Sequence, residues 1–295
     1  MSAEAYASLL AGAGHRVIRT DSAWWYEAHP HWFQCLPMHT ELQPTSAELA
    51  EVFNQEAWVL RYSCPVELGT ASYLTGCADH TYDLSTLSST ARRATRRGLE
   101  HCSVRRLLFD ELEAAGALEL SRSTLERQDR KVTADHDRYW RGYFAAAHQA
   151  PIAECWGAFD GDQLAAFLLA VTVGDCLYLH LLKSSSEHLA SYPNNAVVYT
   201  FVHDALGRPG IDEVSWGLES LLPEMEGLER FKRSMGFEQR PIGQRIELTR
   251  WLDVGVRGPA TWAMPHVARL IKGNHAIDRA ASTLRWHADQ PTLPG

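Results

Sequence analysis

The sequence lacks the features of secreted and membrane proteins. Its six cysteines are scattered, and no two form a Cys-x-x-Cys pair, which indicates a reducing compartment rather than a disulfide framework. No apolar run approaches the ~20 residues needed to span a bilayer. The first residues, MSAEAYASLLAGAGH, have no basic segment of the kind that opens a signal peptide. We therefore predict a cytoplasmic protein with no membrane span.

Basic residues are also in deficit. The chain has 28 Lys and Arg against 36 Asp and Glu, so its net charge is −8. This balance disfavours broad nucleic-acid binding, although a local basic stripe can still bind phosphates. With 45% hydrophobic residues in a 295-residue chain, the protein can bury one large core or two modest ones.

The most informative segment runs from Ile152 to Arg245. Three stretches rich in β-forming residues, IAECWGAF, QLAAFLLAVTV and CLYLHLLKS, are separated by the turn sequences DGD (160–162) and GD (174–175). This pattern predicts an antiparallel meander.

A helix and a parallel strand are predicted to follow the meander. Pro193 suits the first turn of a helix, apolar residues then recur at helical spacing, and Gly207 ends the helix. A crossover of this length returns the next strand, EVSWG, parallel to the one before it. One more helix, with Gly236 at the C′ position just past its end, and a last strand complete the segment.

Three motifs in this order resemble one family. They are TLSSTARRATRRGL, Ser191-Tyr192-Pro193, and GLERFKRSMGF at Gly227 to Phe237. Together they resemble the GNAT acyltransferase superfamily and, within it, the FemAB-like branch, which includes the peptidoglycan aminoacyl transferases. The resemblance implies an α/β fold with a mixed sheet and tandem GNAT-like halves, of which the C-terminal half is better formed.

We therefore expect three parts. Residues 1–106 would form a degenerate N-terminal GNAT-like half and residues 107–250 the acyltransferase half. Residues 251–295 would form a C-terminal helical tail, in which Val267, Leu270 and Ile271 have core spacing.

The resemblance also implies a donor site at the start of the crossover helix. Unpaired N–H groups there suit a pyrophosphate, and the residues concerned are Ser191, Tyr192, Asn194 and Asn195. The usual GNAT loop is glycine-rich, whereas this chain has KSSSEHLASYPNNA. An ordinary solvent-facing helix start is the alternative.

A basic stripe is the second candidate phosphate site. Arg92, Arg93, Arg96 and Arg97 fall on one side of a predicted helix that is capped by the serines and threonine at 88–90. Arginine suits bidentate phosphate recognition, so Arg93 and Arg97 are predicted to bind the donor. A solvated helix face is equally compatible with this spacing.

Tyr178, His180, Glu219 and Lys232 are the candidate catalytic residues. In CLYLHLLKS, Leu177, Leu179 and Leu181 should share one face, and Tyr178 and His180 the other. His180 is either a proton acceptor or a satisfied buried histidine, and Glu219 is the competing carboxylate.

The fourth candidate, Lys232, stands where many superfamily members have a tyrosine that protonates the leaving thiolate. It is predicted to stabilise developing negative charge. Its alternative role is a cation that complements the helix dipole.

The resemblance, together with these residues, implies an N-acyltransferase in which an amine of a small molecule or peptide directly attacks acyl-coenzyme A. The alternatives are a FemAB-type transferase with aminoacyl-tRNA as donor, and a catalytically silent GNAT-like binding module. No metal is expected, because His29, His31, Cys35 and His39 fit no common zinc spacing and read as a packed loop. The sequence does not specify an oligomeric state.

Overall fold

The structure is a computed structural model that describes residues 2–128, 130–221, 226–257 and 275–292. Within these ranges the β-strands are β1 (Val17–Arg19), β2 (Trp24–His29), β3 (Trp32–Leu36), β4 (Val59–Cys64), β5 (Thr70–Cys77), β6 (Cys102–Leu107), β7 (Ala153–Asp160), β8 (Gln163–Val173), β9 (Cys176–Ser184), β10 (Glu213–Leu218) and β11 (Glu238–Leu248). The α-helices of the same ranges are α1 (Ala3–Gly12), α2 (Ser46–Phe53), α3 (Ser89–His101), α4 (Glu111–Ala114), α5 (Ala117–Arg127), α6 (His136–His148), α7 (Pro193–Leu206), α8 (Glu226–Ser234), α9 (Arg250–Arg257) and α10 (His275–Asp289).

The chain divides into two compact units built from segments that are distant in sequence. Unit 1 comprises Met1–Gly14, Thr75–Gly217 and Gly227–Gln239, and unit 2 comprises His15–Leu74, Leu218–Glu226 and Arg240–Gly295. The predicted boundaries after residues 106 and 250 stay a prediction. Of the predicted C-terminal tail, α9 and α10 are described, while Val267, Leu270 and Ile271 lie outside the described residues.

Each unit has strands of both directions. In unit 1 the strand order is β10-β9-β8-β7-β6, with β10 parallel to β9 and the other neighbours antiparallel. In unit 2 the order is β1-β2-β3-β4-β11-β5, and β3 runs parallel to β4. The predicted α/β class with a mixed sheet is confirmed.

The predicted meander is strands β7, β8 and β9. Gly161 and Gly174 occupy the two hairpin turns with φ of 61° and 65°, a conformation that costs glycine little because it has no Cβ. The parallel return of β10 to β9 is also as predicted.

Helix α7 covers one face of the unit 1 sheet. Its apolar residues pack in one cluster with Trp156 of β7, Leu168 of β8, and Leu177 of β9. Phe201, at the centre of α7, is fully buried, and a side chain of this kind contributes about 1.5–3 kcal/mol when buried. The helix ends at Leu206, and Gly207 caps it as predicted.

Helices α1, α5 and α6 cover the opposite face of this sheet. Tyr6 of α1 lies against Tyr178, with 6.3 Å between ring centroids, and Phe144 of α6 meets Phe167 of β8 edge-on. Thr124 of α5 donates a hydrogen bond to the carbonyl of Ser184, at the end of β9. The strands are therefore buried on both faces, which explains why β8 is apolar almost throughout.

Unit 2 has its own core. Trp25 of β2, Phe33 of β3, Leu60 and Tyr62 of β4, and Val52 of α2 form a buried cluster. The stretch that includes His31, expected as a packed loop, instead forms the turn between β2 and β3 and strand β3 itself. The loop assignment was wrong because aromatic residues such as Trp32 and Phe33 favour strand structure there.

All six cysteines are buried, and none of them forms a disulfide bond. Among the described residues, no group of three or more His, Cys, Asp or Glu side chains is placed to hold a metal ion. In the same part of the chain, no helix combines the length and the apolar character that crossing a bilayer requires.

Candidate active site

A bulge in β9 shapes the centre of the candidate site. In the pairing with β8, Ala170 lies opposite Leu179 and Leu169 opposite Leu181, so His180 is the extra residue. A bulge bends its strand and changes which face the following residues occupy. Leu177 and Leu179 share a face as predicted, and they pack in one cluster with α7. Leu182 joins them there, so the predicted place of Leu181 on that face was wrong.

Strands β9 and β10 part at the same place. Their pairing runs from Glu213 opposite Cys176 to Ser215 opposite Tyr178, although both strands continue beyond these residues. The bulged residue, His180, is two positions past the last pair.

His180 contacts two tyrosines from other elements. Its Nδ1 atom is 2.9 Å from the hydroxyl oxygen of Tyr6 on α1. The ring of Tyr143 on α6 lies parallel to the imidazole at an interplanar angle of 7°, with 5.6 Å between centroids. Tyr178 belongs to the same aromatic group through Tyr6. His180 and Tyr178 are therefore brought together by partners that are distant in the sequence.

The start of α7 follows directly on a strained residue. Tyr192 has φ 51° and ψ 43°, which is left-handed backbone, a conformation that costs a non-glycine residue roughly 1 kcal/mol. Pro193 then opens the helix. The N–H groups of Asn194 and Asn195, in the first turn, have no intrahelical acceptor. They remain the predicted donors to a phosphate.

The side chains of the predicted donor site have protein partners. Ser191 donates a 2.6 Å hydrogen bond to Asp160, Asn194 donates to Ser184 at 3.1 Å, and Asn195 donates to the sulfur of Met235. The hydrogen bonds from Ser191 and then His188 lower the pKa of Asp160 below its ordinary value. A carboxylate therefore stands beside Ser191, and it opposes an anion at that hydroxyl.

The basic stripe lies on α3, which packs on the start of α7. Ser88 caps α3 as predicted, and Gly98 lets the helices approach, because a Cβ there would stand 2.7 Å from the carbonyl oxygen of Tyr192. The Arg97 guanidinium carbon is 5.2 Å from the centroid of the Tyr192 ring. The stripe and the predicted donor loop are therefore adjacent.

The four arginines of the stripe are not equivalent. Arg92 is half-buried and donates to the carbonyls of Ser85 and Leu87, which is a structural role. Arg93, Arg96 and Arg97 are exposed. No carboxylate oxygen of the described residues lies within 4.0 Å of their guanidinium nitrogens, the limit for an ion pair. These three remain available to an anion.

Two further cations near the end of β9 were missed by the sequence analysis. Arg127 of α5 donates to the carbonyl and the hydroxyl of Ser184. Burial, and then the charges of Arg130 and Arg127, lower the pKa of Lys183 to about 8. The Lys183 ammonium lies 5.7 Å from the Trp140 ring centroid. Lys183, the second-last residue of CLYLHLLKS, was the only signal for this group.

Lys232 is buried in an ion pair. It lies in the last turn of α8, is 3% exposed, and its Nζ is 2.8 Å from Glu229 Oε1. The ammonium is also 5.9 Å from the ring centroid of Trp216. The helix ends at Ser234, and Gly236, two residues beyond, has the predicted positive φ, of 85°. This contact is more specific than a dipole interaction, and the catalytic role of Lys232 stays a prediction.

Glu219, the remaining candidate, belongs to unit 2. Its carboxylate accepts a 2.8 Å hydrogen bond from Ser72, and its backbone carbonyl accepts one from Arg61. Its catalytic role also stays a prediction.

Comparison with known proteins gives three findings. The profile described as "Acetyltransferase (GNAT) domain" matches residues 85–233. A search of curated proteins finds no match. Among solved structures, FemX is similar at 13% identity with a TM-score of 0.56, covering 86% of this chain and 93% of its own.

Two other solved structures have the same fold. L-PGS from Bacillus licheniformis is 12% identical, with a TM-score of 0.53 and coverage of 91% of this chain and 93% of its own. The C-terminal domain of a proposed lysylphosphatidylglycerol synthetase from Agrobacterium fabrum is 12% identical, with a TM-score of 0.56 and coverage of 91% and 93%. At these identities the likeness concerns the fold, and it agrees with the FemAB-like resemblance. The profile match spans half of the chain, and the chain therefore belongs to the GNAT acetyltransferase family.

Proposed function

We propose that the protein is an N-acyltransferase that moves an acyl group from acyl-coenzyme A to an amine of a small molecule or peptide. The supporting observation is the start of α7, which lies at the end of β9. The Asn194 side chain bonds to Ser184 there, in a strand that parts from β10 after Tyr178. The N–H groups of a helix N-terminus can bind the pyrophosphate of acyl-coenzyme A. The space between the two diverging strands can hold the arm of the same molecule that carries the thioester.

The reaction is a direct transfer. The amine nitrogen attacks the thioester carbonyl, the C–N bond forms, the C–S bond breaks, and the amine proton must leave. His180 is the proposed acceptor of that proton, and Tyr6, bonded to Nδ1, fixes the orientation of the ring. Tyr178 would line the same side, and Glu219 is the alternative base.

Lys232 is the proposed stabiliser of the oxyanion, together with main-chain N–H groups. Its ammonium is engaged with Glu229 at 2.8 Å, so it must share or exchange this partner to contact a developing anion. In the structural role the Lys232 ammonium stays paired with Glu229, and in the catalytic role it also contacts the oxyanion.

The donor phosphates would be held by the N–H groups of Asn194 and Asn195, with Tyr192 and Arg97 beside them. Arg93 would add charge from the same helix. Ser191 would contribute only if its hydroxyl left Asp160, to which it donates at 2.6 Å. Peptide and small-molecule amines are the proposed acceptors, and the cytoplasm is the proposed location.

Aminoacyl-tRNA is the second candidate donor. Arg93, Arg96 and Arg97 form an exposed cationic edge on α3, which suits a nucleic-acid backbone. The fold likeness to FemX also favours this alternative. The net charge of −8 is the reason to rank acyl-coenzyme A first.

Titration with acetyl-coenzyme A by calorimetry tests the first proposal. We expect binding by the wild type, weaker binding by Arg97→Gln, and unchanged binding by Arg138→Gln. Arg138 is the control because it lies on α6 with an exposed side chain that pairs with Asp135. Thiol release in the presence of an amine then measures transfer.

Charged tRNA replaces acetyl-coenzyme A in a parallel assay. Transfer from charged tRNA without binding of acetyl-coenzyme A would establish the second candidate. Failure of both donors would indicate a catalytically silent binding module.

A further inference from the structure

One face of the unit 2 sheet has a row of polar side chains across four neighbouring strands. Gln34 of β3 pairs in register with Arg61 of β4, Arg61 donates to Gln244 of β11, and Gln244 donates to Ser72 of β5. Gln34 and Gln244 are buried. Burying polar groups costs free energy unless each one is hydrogen-bonded. A row of this kind is therefore a candidate for a functional role in addition to its role in the fold.

Arg61 is a half-buried cation held by neutral groups. Its Nε atom donates to Gln244 Oε1 at 2.7 Å, and its Nη2 atom donates to the Glu219 carbonyl at 2.6 Å. In the described part of the chain, no carboxylate oxygen lies within 4.0 Å of a guanidinium nitrogen of Arg61, so this side chain has no ion-pair partner there. Burial lowers the pKa of Arg61 to about 10, so the group is still charged at neutral pH.

The hydrogen bonds of Arg61 use only one side of the guanidinium. Nε and Nη2 are engaged, while Nη1 has no acceptor among the described residues. Its two N–H donors remain for a group from outside the protein.

A cavity of about 190 Å³ lies where Arg61 ends. Gln34 lines it beside Arg61, and Ala28, His29, Trp32 and Ser220 form part of its wall. The Trp32 indole is half-buried and meets the His29 ring edge-on at 6.3 Å. The cavity therefore combines one cation, one amide and an aromatic wall.

We propose that this cavity binds a small monocarboxylate with a flat, apolar body. The carboxylate would accept hydrogen bonds from Arg61 Nη1 and the Gln34 amide, and the apolar body would lie against Trp32. A single guanidinium matches a single negative charge. The Glu219 carboxylate, held by Ser72 at 2.8 Å, adds negative charge near Arg61 and opposes a dianion such as phosphate. This site is independent of the proposed transfer reaction.

Benzoate is the first probe, with benzamide as its uncharged counterpart of the same shape and inorganic phosphate as the dianion. Each is titrated into the full chain and followed by calorimetry and by the indole N–H resonance of Trp32, assigned with Trp32→Phe. We expect benzoate to bind about tenfold or more tightly than benzamide, since hydrogen bonds between two charged groups are stronger than those to a neutral amide. Equal binding of the two, or tighter binding of phosphate, would overturn the proposal.

Two variants locate the binding. Ala28→Leu fills the cavity without touching the polar row, and Arg61→Gln removes the cation. Each should weaken benzoate binding about tenfold or more. Arg19→Gln is the control, because Arg19 is also a cation over an indole, that of Trp24, but it is exposed and does not line the cavity.

Ala28→Leu with wild-type benzoate affinity would place the ligand elsewhere and overturn the proposal. If Arg61→Gln does not fold, Ala28→Leu and the wild-type probe series still decide the question. Loss of acetyl-coenzyme A binding in the separate donor assay would leave these results unchanged, so the two proposals fail independently.

Discussion

Replacing Lys232 with methionine removes one half of a buried ion pair. The Lys232 ammonium is 2.8 Å from Glu229 Oε1, and the two residues are 3% and 8% exposed. Glu229 Oε2 has no hydrogen-bond partner among the described residues. The variant would therefore leave a carboxylate buried without a counter-charge.

The expected loss of stability is large. Removing one partner of a buried pair costs about 3–5 kcal/mol. Each kcal/mol lowers Tm by about 2–4 °C in a domain of 150–250 residues, so Lys232→Met should unfold about 6–20 °C below the wild type. Thermal unfolding followed by circular dichroism measures this shift. A Tm equal to that of the wild type would refute the burial argument.

A double variant separates stability from catalysis. Glu229→Gln combined with Lys232→Met removes both charges, and it should recover most of the lost stability, because a neutral replacement of a buried pair is often tolerated. If Lys232 stabilises the oxyanion, turnover of the double variant should still be down by about 10²-fold or more, with little change in donor affinity. A stable double variant with wild-type turnover would leave Lys232 with its structural role alone.

Three further outcomes are expected. Replacing Arg93 and Arg97 together with Gln should weaken donor binding more at low salt than at high salt, and an affinity unchanged at both salts by calorimetry would assign the stripe to solvated surface. Gly98→Ala should destabilise the protein by roughly 1–3 kcal/mol, because its Cβ would stand 2.7 Å from a backbone oxygen of the α7 start. Gly142→Ala on α6, whose Cβ meets nothing within 4 Å, is the matched control, and equal Tm values for the two would contradict this. The pKa of Lys183 in the folded protein is about 8, below its ordinary value of 10.5. Between pH 8 and 10.5 the unfolded chain therefore keeps a proton on Lys183 that the folded protein has lost, and the free energy of unfolding rises with pH. Lys183→Met should therefore be more stable than the wild type at pH 7 and lose that advantage as pH rises through this window, whereas an advantage independent of pH would refute the burial of the charge.

Local signals explain what could be predicted. The meander, the start of α7 at Pro193 and the glycine turn at Gly236 were all read from neighbouring residues. Turn residues and helix ends depend on interactions over a few positions, so the sequence encodes them directly. The parallel return of β10 was predicted as well, because the length of the crossover restricts its geometry.

Distant contacts explain what could not be predicted. The hydrogen bond between Tyr6 and His180 joins residues 174 positions apart, and no local pattern indicates it. Lys232 has the spacing of a surface cation at a helix end, yet it is buried with Glu229. Arg61 lies in the short strand VLRYSC, and its partners Gln244 and Glu219 come from the other end of the chain. Each of these pairings is created by the tertiary fold.

The bulge at His180 affects how this chain is compared with its relatives. Beyond the extra residue, every position of β9 is displaced by one, so Leu182 rather than Leu181 faces α7. A substitution at 180 keeps this register, and deletion of the residue would remove the bulge while leaving Leu181, Leu182 and Lys183 on their present faces, opposite the same residues of β8. An alignment without a gap here would therefore match Lys183 with a residue of the wrong face in any relative whose strand is regular.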